Sequence, residues 1–228
     1  MQVGVNWGIK RLAFIHTVHW SQQGSAPRFD AALLQAALAA LDEGWWHAHA
    51  GPYNERGWES VSLWAPRGDP LEQTSRGGDF SATPVLLRSP AFASVLDHFS
   101  AERNRVRLMR LQPGGKILRH RDPMHTIDSR LVRLHVPVTT NPDVWFEVND
   151  RRITMHPGET WHIDVRFPHA VENRGTTARV HLVIDLVRNE ALDTLLAAGD
   201  VVDTGWLTRY VLGHSLPAEV RRAFRIGN

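Results

Sequence analysis

The chain has no cysteine and only two lysines, Lys10 and Lys116, in 228 residues. Each scarcity removes a class of explanation. Without a thiol there is no disulfide framework and no cysteine-ligated zinc or iron–sulfur site, so any metal must be held by His, Asp or Glu. With two lysines among 26 basic residues, nearly every positive charge is a guanidinium, the group suited to gripping carboxylates through paired hydrogen bonds. A compositional bias explains the same count. No apolar run approaches the roughly 18 residues that a membrane span needs. Met1 to Trp20 lacks the layout of a secretion signal, which makes the expected location cytoplasmic and the N-terminus part of the fold. Internal repeats, low-complexity tracts and long linkers are also missing. The expectation is one domain over 1–228, with a β core near 105–187, a covering region over 1–104 and helices over 189–228.

What is present is a balanced set of charges, 26 basic against 24 acidic residues, and thirteen histidines. The small basic excess implies no nucleic-acid footprint. Asp30 to Glu43 places Leu33, Leu34, Ala37, Leu38 and Leu41 at helical spacing, with Asp30 as N-cap and Gly44 beyond the end. Ser89 and Pro90 open a second helix with Phe92, Val95, Leu96 and Phe99 on one stripe. A third pattern runs from Asn189 to Gly199, and others follow around Leu207 to Leu212 and Pro217 to Phe224.

Between these flanks the period is two. Val106 to Leu111, Leu131 to Val138, Val144 to Asn149, Glu159 to Val165 and Ala178 to Leu186 are short, β-branched or aromatic, and separated by Pro, Gly, Asn and Asp. No helix between them is long enough for parallel crossovers, so a sandwich, barrel or jelly roll is expected. Two strands carry Arg and His at i, i+2: Arg133 with His135, and Arg179 with His181. Their opposite faces are aliphatic. The polar faces fit either a solvated exterior or the polar interior of a barrel open at one end.

His120-Arg-Asp122 sets a histidine and a carboxylate on one side of an extended chain, where both reach one ion. His169, in the loop Phe167-Pro-His169, is the natural third ligand. Two His and one carboxylate on one face of an octahedron form the arrangement of non-haem Fe(II) oxygenases. The tripeptide alone is weak, because His162-Ile-Asp164 repeats it. That second copy lies only a few residues before His169 and lacks a distant third ligand, so Asp164 is read as a supporting group. Arg179, ten residues after His169, is placed to hold the far carboxylate of an oxo-acid.

With these residues in view, the chain resembles the aspartyl/asparaginyl β-hydroxylase family, and within it the bacterial cis-proline hydroxylases. The likeness is carried by Arg110-Leu-Gln-Pro-Gly-Gly, His120-Arg-Asp122, Arg133-Leu-His135-Val-Pro, Gly158-Glu-Thr-Trp-His-Ile-Asp164, Phe167-Pro-His169 and Arg179-Val-His-Leu-Val-Ile-Asp185, with a looser match over Tyr53 to Leu63. The resemblance implies a mainly β fold with flanking helices: a double-stranded β-helix, the cupin-like jelly roll. It implies an oxygenase using Fe(II), 2-oxoglutarate and O₂ and releasing succinate and CO₂. Iron would sit on His120, Asp122 and His169, and 2-oxoglutarate on Arg179 with help from His135. Arg133 would anchor the carboxylate of an amino-acid-like substrate, free or carrier-bound, and Trp161, Trp145 and Phe146 would line its pocket. Asp122, absent from the vertebrate peptidyl branch, favours the small-molecule branch. A peptidyl hydroxylase and a non-catalytic metal- or ligand-binding barrel are the alternatives. Neither nucleic acid nor membrane is expected as a partner; a carrier protein and a homodimer stay open.

Overall fold

The computed structural model describes residues 17–19, 27–74, 78–122, 130–165 and 167–202. The helical patterns expected after Leu207 lie outside them. In chain order the elements are β1 (Thr17–His19), α1 (Ala31–Ala39), a 3₁₀ turn (Glu43–Trp45), β2 (His47–Ala48), β3 (Asn54–Pro66), β4 (Phe80–Ala82), α2 (Pro84–Leu87) and α3 (Pro90–Leu96). There follow β5 (Arg103–His120), β6 (Leu131–Thr139), β7 (Val144–Val148), β8 (Arg151–Ile153), β9 (Trp161–His162), β10 (His169–Asn173), β11 (Arg179–Val187), α4 (Glu190–Ala197) and β12 (Asp200–Val202).

The strands form one antiparallel sheet in the order β12-β1-β9-β6-β11-β5-β10-β7-β8, with β3 paired to β5 and carrying β2 and β4. The sheet is curled. Trp58 of β3, Met109 of β5, Phe146 of β7, Val171 of β10 and Val183 of β11 meet in one buried cluster although their strands are spread across that order. This is the expected jelly roll. A second cluster lies on the other face, where Val106, Leu108, Leu134, Leu182 and Ile184 pack against Leu34, Phe92, Val95 and Leu192 of the helices.

These two clusters account for the alternation in the sequence. On β6, Val132, Leu134, Val136 and Val138 face the helices, while Arg133 and His135 point into the barrel. On β11, Val180, Leu182, Ile184 and Leu186 do the same opposite Arg179. Both faces are covered, so β11 is buried over all but its last residue. The solvated-face reading of the Arg and His pairs therefore fails, because helices cover the aliphatic side and the curl of the sheet encloses the polar one.

Several elements differ from expectation. The segment after Trp46 is not merely a cover: β3 is a thirteen-residue strand pairing with β5 from Asn54↔Ile117 to Trp64↔Val106. Its alternation is broken at Gly57, which has positive φ and sits where the register shifts. The strand expected over Val106 to Leu111 continues through Pro113-Gly114-Gly115 to His120, bending at Gly114 (φ +71°) rather than turning back. α1 ends at Ala39, and Asp30 caps it by accepting from the N–H of Ala32 (2.8 Å) and Leu33 (3.2 Å). β7 stops at Val148 because Asn149 and Asp150 take φ of +50° and +67°, the two-residue hairpin conformation into β8. The segment Glu159 to Val165 holds only the two-residue strand β9. Gly158 (φ +81°) accepts from Phe29 N (2.9 Å) and donates to Pro137 O (2.9 Å); a Cβ there would lie 2.2 Å from Phe29 O. It joins the α1 entrance to β6.

Candidate functional site

The site begins with a pairing register. His120, the last residue of β5, stands directly opposite His169, the first residue of β10, and their ring centroids are 4.3 Å apart. His169 is thus a strand residue, not a loop residue as expected; pairing with β5 and with Val148 of β7 fixes it. Asp122 follows two residues after His120, its N–H donating to Val165 O (2.9 Å). One donor atom from each of His120, Asp122 and His169 lies within 4.8 Å of the others.

The imidazoles are set for a ligand. Nδ1–H of His120 donates to Leu118 O (2.7 Å) and Nδ1–H of His169 to Phe167 O (3.0 Å). Carbonyls only accept, so Nδ1 carries a proton in each ring and Nε2 is the nitrogen left to face an ion. Burial, then the nearby His120, hold His169 down to about 4 despite the opposing pull of Asp122, so the ring is neutral at pH 7. Burial tends to raise the Asp122 carboxyl, but Arg133, then His120 and His169, outweigh it and keep it well below the usual carboxylate range. Two imidazoles and one carboxylate, each held by the backbone or an arginine, fit a divalent first-row ion of the Fe(II) type.

The triad opens into a cavity of about 250 Å³ inside the barrel. Its wall includes Arg105 and Arg107 of β5, Arg133 and His135 of β6, Phe146 of β7, Arg179 of β11, and the run His49 to Tyr53 that enters β3. Tyr53 stacks on His120 at 4.2 Å. His49 stacks on Trp58 at 3.8 Å, and burial with Arg107 and Arg105 nearby lowers it to about 3.

Arg179 is 3% exposed. Its Nη2 donates to His181 Nδ1 (2.7 Å), its guanidinium lies 5.5 Å from the Phe146 ring, and its Nε has no hydrogen-bond partner. No carboxylate pairs with it among the described residues, and burial lowers it to about 9. His135, also buried and kept neutral by burial and Arg179, has an unpartnered Nε2. Arg133 is bound differently: Nε and Nη2 donate to Asp185 Oδ1 (2.7 Å) and Oδ2 (3.0 Å), and Nη1 donates to Asp122. Burial opposes its charge, but Asp185 and Asp122 raise it above the usual arginine value. Two of its five N–H groups are left for a ligand.

Of the residues expected at the site, His120, Asp122, His169, Arg179, His135, Arg133 and Phe146 line this cavity. Trp161 does not: its indole packs in the core with Met109 and Phe146, and its Nε1 donates to Glu159 (2.9 Å). Trp145 lies between Arg152 and Arg174 at 4.9 and 5.0 Å. Asp164 is buried but outside the lining. Sequence reasoning missed Arg105, Arg107 and His49. The signal was there for the arginines, since Arg105-Val-Arg107 repeats the i, i+2 pattern of β6 and β11.

Residues 31–189 match the family described as Aspartyl/Asparaginyl beta-hydroxylase. The chain belongs to that family. Among relatives of this β-hydroxylase family member, an L-proline cis-4-hydroxylase of Rhizobium meliloti (strain 1021) is 27% identical over 162 residues, 69% of this chain. The match spans 58% of that relative's length. Among solved structures, a 2OG-Fe(II) oxygenase family oxidoreductase from Burkholderia pseudomallei is 14% identical, with TM-score 0.49, over 83% of this chain and 93% of its own. A Pseudomonas putida prolyl-4-hydroxylase is 16% identical, with TM-score 0.44, over 75% and 94%. No helix among the described residues is long and apolar enough to cross a membrane.

Proposed function

We propose that the protein is an Fe(II)- and 2-oxoglutarate-dependent oxygenase that hydroxylates an unactivated C–H bond of a small amino-acid-type substrate. In the overall reaction one O₂ oxidises both partners: 2-oxoglutarate goes to succinate and CO₂, and the substrate C–H becomes C–OH. The observation that carries this reading is the convergence of His120, Asp122 and His169 on a cavity that also holds a buried arginine, Arg179, with no acidic partner among the described residues. A buried guanidinium without a counter-ion is costly and is relieved by a ligand carboxylate.

The ion, with O₂, supplies the oxidising power for the C–H bond. The chain supplies everything else. His120 and His169 offer Nε2 lone pairs, and Asp122 offers a carboxylate that Arg133 orients. Arg179 grips the far carboxylate of 2-oxoglutarate, His181 fixes that guanidinium, and the neutral His135 lies against the cosubstrate. Phe146, Met109 and Val183 form the apolar wall that excludes water. A cavity of about 250 Å³ falls below the range of roughly 300–1,000 Å³ usual for drug-sized ligands, which favours a free small molecule over a peptide segment.

The test is anaerobic addition of Fe(II) and 2-oxoglutarate followed by O₂ with a panel of amino acids. Succinate release coupled to a hydroxylated product supports the reading. Equal release by His169→Ala sinks it.

A further inference from the structure

The cavity holds more positive charge than the proposed reaction uses. Arg105, Arg107, Arg133 and Arg179 line it, all buried or nearly so, and among the described residues the carboxylates that contact them are Asp122 and Asp185. Four guanidiniums against two carboxylates leave two positive charges uncompensated among these groups. Arginine does not shed its proton in proteins, so the excess stands. A divalent ion with a dianionic oxo-acid adds no net charge, so loading the site does not remove it.

With Arg179 given to the far carboxylate of 2-oxoglutarate, the excess falls on Arg107. Arg105 donates twice to Asp185 (3.1 and 3.0 Å) and once to Gln73 O (2.9 Å), and Arg133 takes both oxygens of the same carboxylate. Arg107 is 3% exposed; its nearest acid oxygen is 3.8 Å away, and its Nε has no partner. Trp58, also in the wall, has an unpartnered Nε1–H. These are donors waiting for an acceptor. The only acid among the described lining residues is Asp122, engaged by Arg133 and by the metal triad. No acid in that wall is therefore free to pair with a substrate ammonium.

Building on the oxygenase reading above, we propose that the substrate is net anionic: a small acid with an acid group on Arg107 and no uncompensated cationic nitrogen. A dicarboxylic amino acid or an N-acylated one meets this condition. A plain zwitterion such as free proline brings an ammonium into a wall that is already cationic.

Calorimetric titration under anaerobic conditions tests this with pairs that differ by one charge: glutamate against glutamine, aspartate against asparagine, and N-acetylproline against proline. Each is read on the metal-free protein and on protein saturated with Ni(II) and 2-oxoglutarate. In the pairs that bind, the anionic member is expected to bind at least tenfold more tightly, and Arg107→Gln to abolish that preference while 2-oxoglutarate affinity holds. Equal or tighter binding of the zwitterions, or no binding of any anionic member, overturns the inference, and this wild-type comparison stands even if the variant does not fold. If Ni(II) fails to strengthen 2-oxoglutarate binding, the oxygenase reading falls, whatever the pairs show.

Discussion

At the scale of single residues, one carboxylate belongs both to the proposed metal triad and to the cavity wall. Asp122 lies 3.3 Å from His120 Nε2 and accepts from Arg133, which is itself clamped by Asp185 at 0% exposure. The chain Asp185–Arg133–Asp122 aims the carboxylate of the proposed metal ligand. Replacing Arg133 by Met removes the group that orients Asp122 and leaves Asp185 with Arg105 and Arg107. Metal affinity is expected to fall about 10–100-fold, the usual cost of losing an outer partner of a ligand; competition with a chelating dye measures it. Arg179→Gln should leave metal affinity unchanged and weaken 2-oxoglutarate binding by about 10–100-fold, since each charge-assisted hydrogen bond lost contributes about 1.5–3 kcal/mol. Titration of the Ni(II)-loaded protein reads this, and an unchanged dissociation constant argues against the assigned role of Arg179.

At the scale of elements, β5, β6 and β11 each divide labour between two faces. Leu182 of β11 is fully buried against the helices, while its neighbour Val183 lines the cavity on the opposite face. Leu182→Ala should cost about 2–5 kcal/mol by leaving a cavity in the outer cluster. Denaturant unfolding checks the stability, and retained metal binding at low temperature shows that the inner face survives. Gly158→Ala is the backbone counterpart, because its positive φ and the Phe29 carbonyl leave no room for Cβ. A clear fall in melting temperature is expected. Much of this was legible: the α1 cap at Asp30 (2.8 and 3.2 Å contacts), the helical pattern of α4 from Asn189 and the two-faced strands follow local rules. β3 was not, because Gly57 and the register shifts around it break its alternation, and long-range pairing with β5 rather than local pattern makes it a strand.

At the scale of the whole molecule, the barrel keeps several histidines neutral and buried. His49 is lowered to about 3 by burial, then by Arg107 and Arg105; His181 and His135 are held well below the usual histidine value by burial and Arg179. The unfolded chain takes up these protons near pH 6.5 and the folded one does not until far lower. Between those limits the unfolded state binds more protons, so stability falls as pH drops from about 6.5 towards 3 and is insensitive to these groups above about 7. Melting temperatures of the metal-free protein across pH 4–8 check this, and His49→Gln should flatten part of the slope. An ion that binds only the folded state should raise the melting temperature by mass action, and His169→Ala should lose that rise.

The sequence by itself determined the chemistry available: no thiol, two aliphatic-and-polar strands, a His-x-Asp pair, a third histidine, and arginine in place of lysine. These are local patterns, read from residue type and spacing along one strand or turn. Only the tertiary structure decided how they combine. The antiparallel register sets His120 opposite His169, the curl of the sheet turns the polar faces inward rather than to water, and three strands bring Arg105, Arg107 and Arg133 around one buried Asp185. That last cluster joins residues up to eighty positions apart. No spacing along the chain records it, because strand pairing and closure of the barrel bring these charges together.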